Sequence, residues 1–340
     1  MKLLVSALEP SSNIHLKELL KYTKDIELIG IFDSSLGTPL YDISSMAVMG
    51  IVDVIKKIGW FFRALDEMAE LAKDADKVLL MDSSAFNIPL AKKIKEKYPQ
   101  KEIIYYILPQ VWASRPKRVE KLERYCNRLL GILPFEIDYY TKAQYVGHPL
   151  LDEIRVKRDK NSKYIAFLAG SRESEIKKLM PIFREVRKEI QKKALLVIPS
   201  NFSKEKIENL YGDISDFEIS KNTHKALAKS EFAFICSGTA TLESALIGTP
   251  FVLVYIAKWL DYLIGKRLLN IEYIGLSNIL LKHYNSSTLH KELLQSDVTV
   301  ENLLREYKNT NRELFKKKSK ELREYLKYGS SKRVAEVICS

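Results

Sequence analysis

The chain has 340 residues, 46% of them hydrophobic and 29% charged, and carries a net charge of +12. This is the composition of an ordinary globular protein with material for a sizeable core, and the length suits two domains rather than one. A transmembrane helix is excluded, because the nearest apolar candidate, 232–257, is broken by Gly238, Glu243, Gly248 and Pro250.

The opening MKLLVSALEP superficially resembles a secretion signal, but Glu9 and Pro10 interrupt it early, and it reads better as a first strand. Short β-like runs then alternate with longer amphipathic stretches, the mark of parallel sheets wrapped by helices. Strands are predicted near 2–7, 27–32, 77–81, 102–107 and 128–132, and again near 164–168, 194–198, 216–219, 232–236 and 251–255. Between the two sets lies the polar VGHPLLDEIRVKRDKNSK, which divides the chain into domains 1–155 and 156–340. The last forty residues read as charged helix, with Leu314, Leu322 and Tyr325 suggesting one packed face. Positive charge is uneven: residues 1–150 hold 21 basic against 19 acidic side chains, the remainder 34 against 24. A basic surface suits nucleic acid, anionic lipid or a phosphorylated ligand, and equally a protein that is merely soluble. Cys126, Cys236 and Cys339 lie far apart without a C-x-x-C pair, which argues for a reducing cytoplasm and against structural zinc.

In open α/β sheets ligands bind beyond the carboxyl ends of the strands, so the residues just after each strand are the candidates. Glu9 follows the first strand, with Ser11, Ser12 or Asn13 available to cap the next helix. No G-x-G-x-x-G or Walker lysine motif is present. Asp82 ends the run VLLMD, placed to take a proton from an alcohol nucleophile; capping the helix at 87–97 is the plainer alternative. After 164–168 come Gly170, Ser171, Arg172 and Ser174, a turn suited to phosphate, or an ordinary cap beside a surface arginine. Ser237, Gly238 and Thr239 form a second such turn, with Glu243 on the following helix placed for ribose hydroxyls. Asp74 and Asp76 have metal-site spacing but precede a strand, at the wrong end of the sheet, and no metal is assigned. The stretch 47–65, with Trp60, Phe61 and Phe62 among interleaved Lys56, Lys57 and Arg63, reads as a membrane-surface helix or as buried core.

Taken together, AVMGIVDV, Asp82-x-x-x-Phe86-Asn87, LPQVWASRPKRVEKL, LPFE, VGHPLLD, GSRESEI, SGTATLE and LSNILL resemble the lipid-A-disaccharide synthases, in that family's order over about 5–281. The resemblance implies a GT-B fold, with two Rossmann-like domains, an interdomain cleft and a helical tail. It also implies an inverting transfer from UDP-2,3-diacylglucosamine to the 6-hydroxyl of 2,3-diacylglucosamine 1-phosphate (lipid X). No cofactor or metal is then required. Asp82 matches the family's essential aspartate and becomes the expected base, with Glu9 near the reacting sugar. Arg172 and the turns at Gly170–Ser171 and 237–239 would hold the diphosphate, Glu243 the ribose, and Asn278 the nucleotide side. Ser11, Asn13 and Asn87 would contact the acceptor.

Both substrates carry acyl chains, so the implied enzyme is cytoplasmic and peripheral to the inner leaflet, with no nucleic-acid partner. At least two of Trp60, Phe61 and Phe62 are then expected to be exposed. A homodimer through the tail at 300–338, or a tail that crosses back onto the first domain, are both open. The sequence departs from the family where Asn13, Ala85 and Ser114 replace two aspartates and a tryptophan. The rivals are a peptidoglycan N-acetylglucosaminyltransferase, whose glycine-rich first turn is missing, a UDP-sugar 2-epimerase, and a non-catalytic lipid binder.

Overall fold

The computed structural model describes residues 1–43, 54–113, 115–159, 162–256 and 272–340. They form two compact units, Met1–Glu153 together with Leu326–Ser340, and Ile154–Tyr325.

The first unit is built on a parallel sheet of β1 (Lys2–Ala7), β2 (Glu27–Phe32), β3 (Tyr41–Asp42), β4 (Lys77–Met81), β5 (Glu102–Tyr106), β6 (Arg128–Gly131) and β7 (Ala143–Tyr145). Their spatial order is β3-β2-β1-β4-β5-β6-β7. The central strands are continuous apolar runs because both faces are covered. Alternate residues serve alternate layers. Leu4, Val78, Leu80 and Ile103 pack with helices α2 (Val54–Leu71) and α3 (Ser84–Lys97). Leu3, Val5, Leu79 and Ile104 pack with α1 (Pro10–Leu19) and with Val334 and Ile338 near the C-terminus. Two shorter helices, α4 (Arg118–Tyr125) and α5 (Pro149–Glu153), complete the wrapping of residues 1–153.

The second unit repeats the plan with β8 (Tyr164–Leu168), β9 (Lys193–Val197), β10 (Glu218–Ser220), β11 (Ser230–Cys236), β12 (Phe251–Tyr255) and β13 (Glu292–Leu294), in the order β10-β9-β8-β11-β12-β13. Among its described residues the helices are α6 (Glu173–Lys188), α7 (Lys204–Tyr211), α8 (Thr223–Ala228), α9 (Thr239–Ile247), α10 (Leu276–Asn285), α11 (Val300–Asn309) and α12 (Arg312–Leu326). Phe167 anchors the core, with ring centroids 5.4, 5.3 and 5.1 Å from Phe183, Phe217 and Phe234. Each such pair adds about 0.5–1.5 kcal/mol beyond its burial.

All ten predicted strands are present, and β3, β7 and β13 escaped the reading because two or three residues show no periodicity. The packed face of α12 is also corrected. Phe315, Ser319, Leu322 and Leu326 are buried at helical spacing, whereas Leu314 is 47% exposed.

The chain's end joins the first unit as α13 (Ser330–Cys339). Asp152 accepts the N–H groups of Gly329 (2.7 Å) and Ser331 (2.8 Å), and Arg333 donates to the Val146 carbonyl (2.7 Å). Gly147 has φ +87°, and a Cβ there would stand 2.7 Å from the Lys327 carbonyl. The VGHPLLD motif is therefore the dock for the tail.

The apolar stretch at 47–65 is only partly within the described residues, since 47–53 lie outside them. From Trp60 onward the helical period decides. Ala64, Leu65 and Met68 are buried, and Trp60 and Phe61 pack over Phe86, at 6.2 and 5.4 Å. Phe62, a third of a turn round, is 61% exposed. The expectation of two exposed rings is thus wrong by one. Among the described residues no helix is long and apolar enough to cross a membrane.

Candidate active site and nucleotide-binding turns

Each sheet has one switch point, where the chain reverses its direction of winding, and there a crevice opens at the carboxyl ends. In the first sheet it lies between β1 and β4, with Ala7 opposite Met81. The strands therefore deliver Glu9 and Asp82 side by side.

Asp82 (φ 51°) and Ser83 (φ 34°) are both left-handed, a conformation that costs about 1–3 kcal/mol per residue outside glycine. Buried groups hold it. Asn87, fully buried, donates through Nδ2 to the carbonyls of Met81 and Asp82, both at 3.0 Å. Its Oδ1 accepts from Ser6 Oγ at 2.6 Å, and the Tyr105 hydroxyl also donates to the Asp82 carbonyl. The following helix begins at Ser84 with Ser83 at its N-cap and no side-chain cap, so capping does not explain Asp82. Burial pushes the Asp82 carboxyl up, opposed by the Ser83 N–H and then by His15. Glu9 is also pushed up, by burial and then by the charge of Asp82, while the Ser83 hydroxyl, 3.5 Å away, pulls it down. Two coupled carboxyls with raised proton affinity share this edge, a setting fit for proton abstraction.

The first turn differs from expectation. The helix starts at Pro10 with Glu9 at the N-cap, so Ser11, Ser12 and Asn13 lie inside it rather than capping it. Ser11 is exposed and Ser12 buried. Asn13 is buried and donates to the carbonyls of Ala7 (2.8 Å) and Glu9 (2.9 Å), while its Oδ1 accepts from the Asp33 N–H (2.7 Å). An aspartate could not donate twice in this way. Asn13 and Asn87 therefore brace the backbone instead of meeting an acceptor.

In the second sheet the switch point lies between β8 and β11. Gly170 (φ +93°) turns the chain, and a Cβ there would clash with Glu175 Oε2 at 2.5 Å. Ser171 and Ser174 are exposed, and no side chain caps α6. Arg172 is exposed and donates to buried Glu175 Oε1 at 2.8 Å, which holds the guanidinium at the turn. After β11, Ser237 leads to Gly238 at the uncapped start of α9, with Thr239 the first residue of the helix. Uncapped helix starts present N–H groups and positive potential to an anion. Glu243 stands 3.6 Å from His224 Nε2.

Asn278 is corrected. It is fully buried, donating to the His290 carbonyl (3.1 Å) and Glu292 Oε1 (2.8 Å) and accepting from the N–H groups of Leu289 and His290. With its amide so committed it has nothing left for a nucleotide. Asp76 accepts from the Lys2 N–H at the amino edge of the sheet, away from the carboxyl ends. Among the described residues no group of three His, Cys, Asp or Glu side chains is arranged to hold a metal.

Sequence reasoning passed over Ser6, Tyr105, His15 and Glu153. Ser6 alone had a local signal, as the polar residue in KLLVSA.

Residues 3–338 match the family model described as Lipid-A-disaccharide synthetase. The lipid-A-disaccharide synthase of Helicobacter pylori (strain J99 / ATCC 700824) is 52% identical, covering 98% of this chain and 97% of its own. That of Campylobacter jejuni subsp. jejuni serotype O:2 is 45% identical, with 98% of both chains covered. Among solved structures, S. aureus MnaA with UDP superposes with a TM-score of 0.64 at 14% identity, covering 99% and 95% of the two chains. Acinetobacter baumannii MurG superposes with a TM-score of 0.59 at 14% identity, covering 99% and 98%. At such identities the structures establish the two-domain GT-B architecture alone.

Proposed function

This chain belongs to the lipid-A-disaccharide synthetase family, and from that premise we infer the reaction it carries out and the residues that serve it. The enzyme is a glycosyltransferase of lipid A biosynthesis. UDP-2,3-diacylglucosamine is the donor and the 6-hydroxyl of lipid X the nucleophile. The oxygen attacks the anomeric carbon from the face opposite UDP, the bond to the diphosphate breaks, and a β-1,6 disaccharide 1-phosphate forms.

The observation that carries the assignment of roles is the carboxyl pair at the first switch point, with Asp82 on a left-handed backbone braced by Asn87 and Tyr105. Asp82 takes the hydroxyl proton as the new bond forms. Glu9 binds the reacting sugar. In the second unit Arg172 and the turns at 170–171 and 237–239 offset the charge that builds on the departing diphosphate, in place of a divalent metal. Glu243 accepts from the ribose hydroxyls.

The membrane reading is narrower than the sequence suggested. It rests on Phe62, exposed on α2, and on the basic excess, both of which suit the anionic inner leaflet from the cytoplasmic side. A homodimer through the tail would use the outward faces of α11 and α12, since Val334, Ala335 and Ile338 are already buried.

The test is UDP release from UDP-2,3-diacylglucosamine with and without lipid X. Release that depends on lipid X and persists in EDTA is expected. Conversion of donor without acceptor, or no turnover at all, overturns the assignment.

A further inference from the structure

Residues 103–119 hold no acidic side chain but carry three basic ones, Arg115, Lys117 and Arg118, where the loop after β5 leads into α4. Arg115 and Lys117 are exposed and Arg118 is half-buried. On the neighbouring α3, Lys93 and Lys97 are paired with Asp66 and Glu70. Among the described residues none of the three loop cations has such a partner, and Glu120, on the first turn of α4, pairs with none of them. Three unneutralised cations within four consecutive residues repel one another and gain from an anion placed among them.

The loop is fixed beside the carboxyl pair. The Asp82 N–H donates to the Tyr106 carbonyl at 3.0 Å, so the chain leaves β5 next to Asp82. Val111 is buried, the Tyr140 hydroxyl donates to the Pro109 carbonyl at 3.3 Å, and the Trp112 ring meets Phe135 edge-on at 5.3 Å. Arg115 itself is left-handed (φ 57°), and such a backbone persists in a non-glycine residue only where its surroundings hold it. The turn closes with the N–H groups of Arg118 and Val119 bonded to the carbonyls of Arg115 (3.1 Å) and Pro116 (3.0 Å). From there α4 packs along α3, the helix that starts two residues after Asp82. Both helices follow parallel strands, so both start at the carboxyl edge, and packed helices lie about 8–10 Å apart, axis to axis. The start of α4, which no side chain caps, therefore stands within the span of one sugar ring and its substituents from Asp82.

We propose that Arg115, Lys117 and Arg118 bind the 1-phosphate of the acceptor and so select a phosphorylated sugar as the nucleophile. This rests on the reading of Asp82 as the base for the 6-hydroxyl of lipid X. C1 lies across the hexose ring from C6, so with the 6-hydroxyl at Asp82 the phosphate falls on the far side of the ring, towards a neighbouring strand end. Two strands flank β4. One, β1, leads to Glu9, whose charge repels a phosphate, and the other, β5, leads to the three cations. Two guanidinium forks and an ammonium match the oxygens of a phosphate monoester. The same chemistry also suits the phosphate of an anionic lipid headgroup, and the test separates the two.

Acceptor binding is measured by calorimetry in nonionic micelles, with UDP saturating, for lipid X and for the same 2,3-diacylglucosamine without its phosphate. The parent is expected to prefer lipid X by at least about tenfold. In Arg118→Ala, and in the double variant Arg115→Ala with Lys117→Ala, that preference falls about tenfold, the lower end for a charge-assisted hydrogen bond. Affinity for the unphosphorylated sugar and for UDP holds, and the apparent KM for lipid X rises while kcat does not move. Should Arg118→Ala not fold, the exposed double variant decides. A parent that binds the two acceptors alike overturns the proposal, as does a preference unchanged in the folded variants. A loss of lipid X affinity seen only on vesicles containing phosphatidylglycerol overturns it too, and assigns the cations to the membrane. A parent that prefers lipid X and loses the preference in the variants, yet releases no UDP from the donor, leaves the phosphate site standing and sinks the reaction.

Discussion

The two sheets place their candidate residues at equivalent points, one switch each, yet they build them in opposite ways. At the first, the loop after β4 is strained, braced by fully buried amide and hydroxyl groups, and lined by two carboxyls pushed up by burial. At the second, Gly170 and Gly238 take the unusual backbone angles, the helix starts are uncapped, and the arginine is exposed. The difference suits the two tasks proposed for these edges. A proton-abstracting carboxyl needs fixed geometry and partial desolvation, whereas a diphosphate needs open N–H groups and a cation that it can reach.

The contrast breaks first at Asp82. Asp82→Asn should keep its fold and its UDP affinity and lose about 10²–10⁴-fold in turnover, the usual worth of a general base. Near-normal turnover in the purified protein would remove the chemical distinction between the two edges.

Bracing is tested next. Asn87→Ala takes the amide away from the Met81 carbonyl and the Ser6 hydroxyl, while the Asp82 carbonyl keeps the Tyr105 hydroxyl, and should cost about 2–3 kcal/mol in urea unfolding, at roughly 1–3 kcal/mol per unsatisfied buried group. Ser171→Ala, on the exposed turn of the second sheet, should cost within about 0.5 kcal/mol. Equal costs would mean that the two loops are not built differently.

A third comparison uses pH. Glu136 sits in the loop after β6 and accepts the N–H groups of Ile132 (2.7 Å) and Leu133 (2.9 Å). Burial outweighs those bonds and raises its carboxyl from 4.5 to about 7. Because the folded value is the higher one, its contribution is full below about pH 4.5 and is lost as pH rises through 7. Melting temperatures between pH 5 and 8 should show the parent losing up to about 2–3 kcal/mol relative to Glu136→Gln, at 1.36 kcal/mol per unit. Parallel curves would show that Glu136 is ionised without penalty.

The smallest effect is expected at the open turn. Arg172→Ala should weaken UDP binding about tenfold by calorimetry, near the ~1.5 kcal/mol floor for a charged hydrogen bond, because the guanidinium is exposed. Unchanged affinity would take Arg172 out of the nucleotide site.

What could be read from the sequence was what is local. Apolar runs of five or six residues announced the long strands, and the residues beyond them, Glu9, Asp82, Gly170 and Ser237–Thr239, stand at the two switch points because a parallel sheet sends every strand's carboxyl end to one edge. What could not be read was which polar groups would be spent inside the fold. Asn13, Asn87 and Asn278 looked like ligand contacts, yet an amide side chain carries the same donor and acceptor as a peptide group, and each donates to a backbone carbonyl near a strand end. The partners of His15 and Asp152 lie 138 and 177 residues away in sequence, at Glu153 and Gly329. Burial decides whether a polar side chain faces a substrate or its own backbone, and burial belongs to the packed tertiary structure, because it depends on elements that no local window contains.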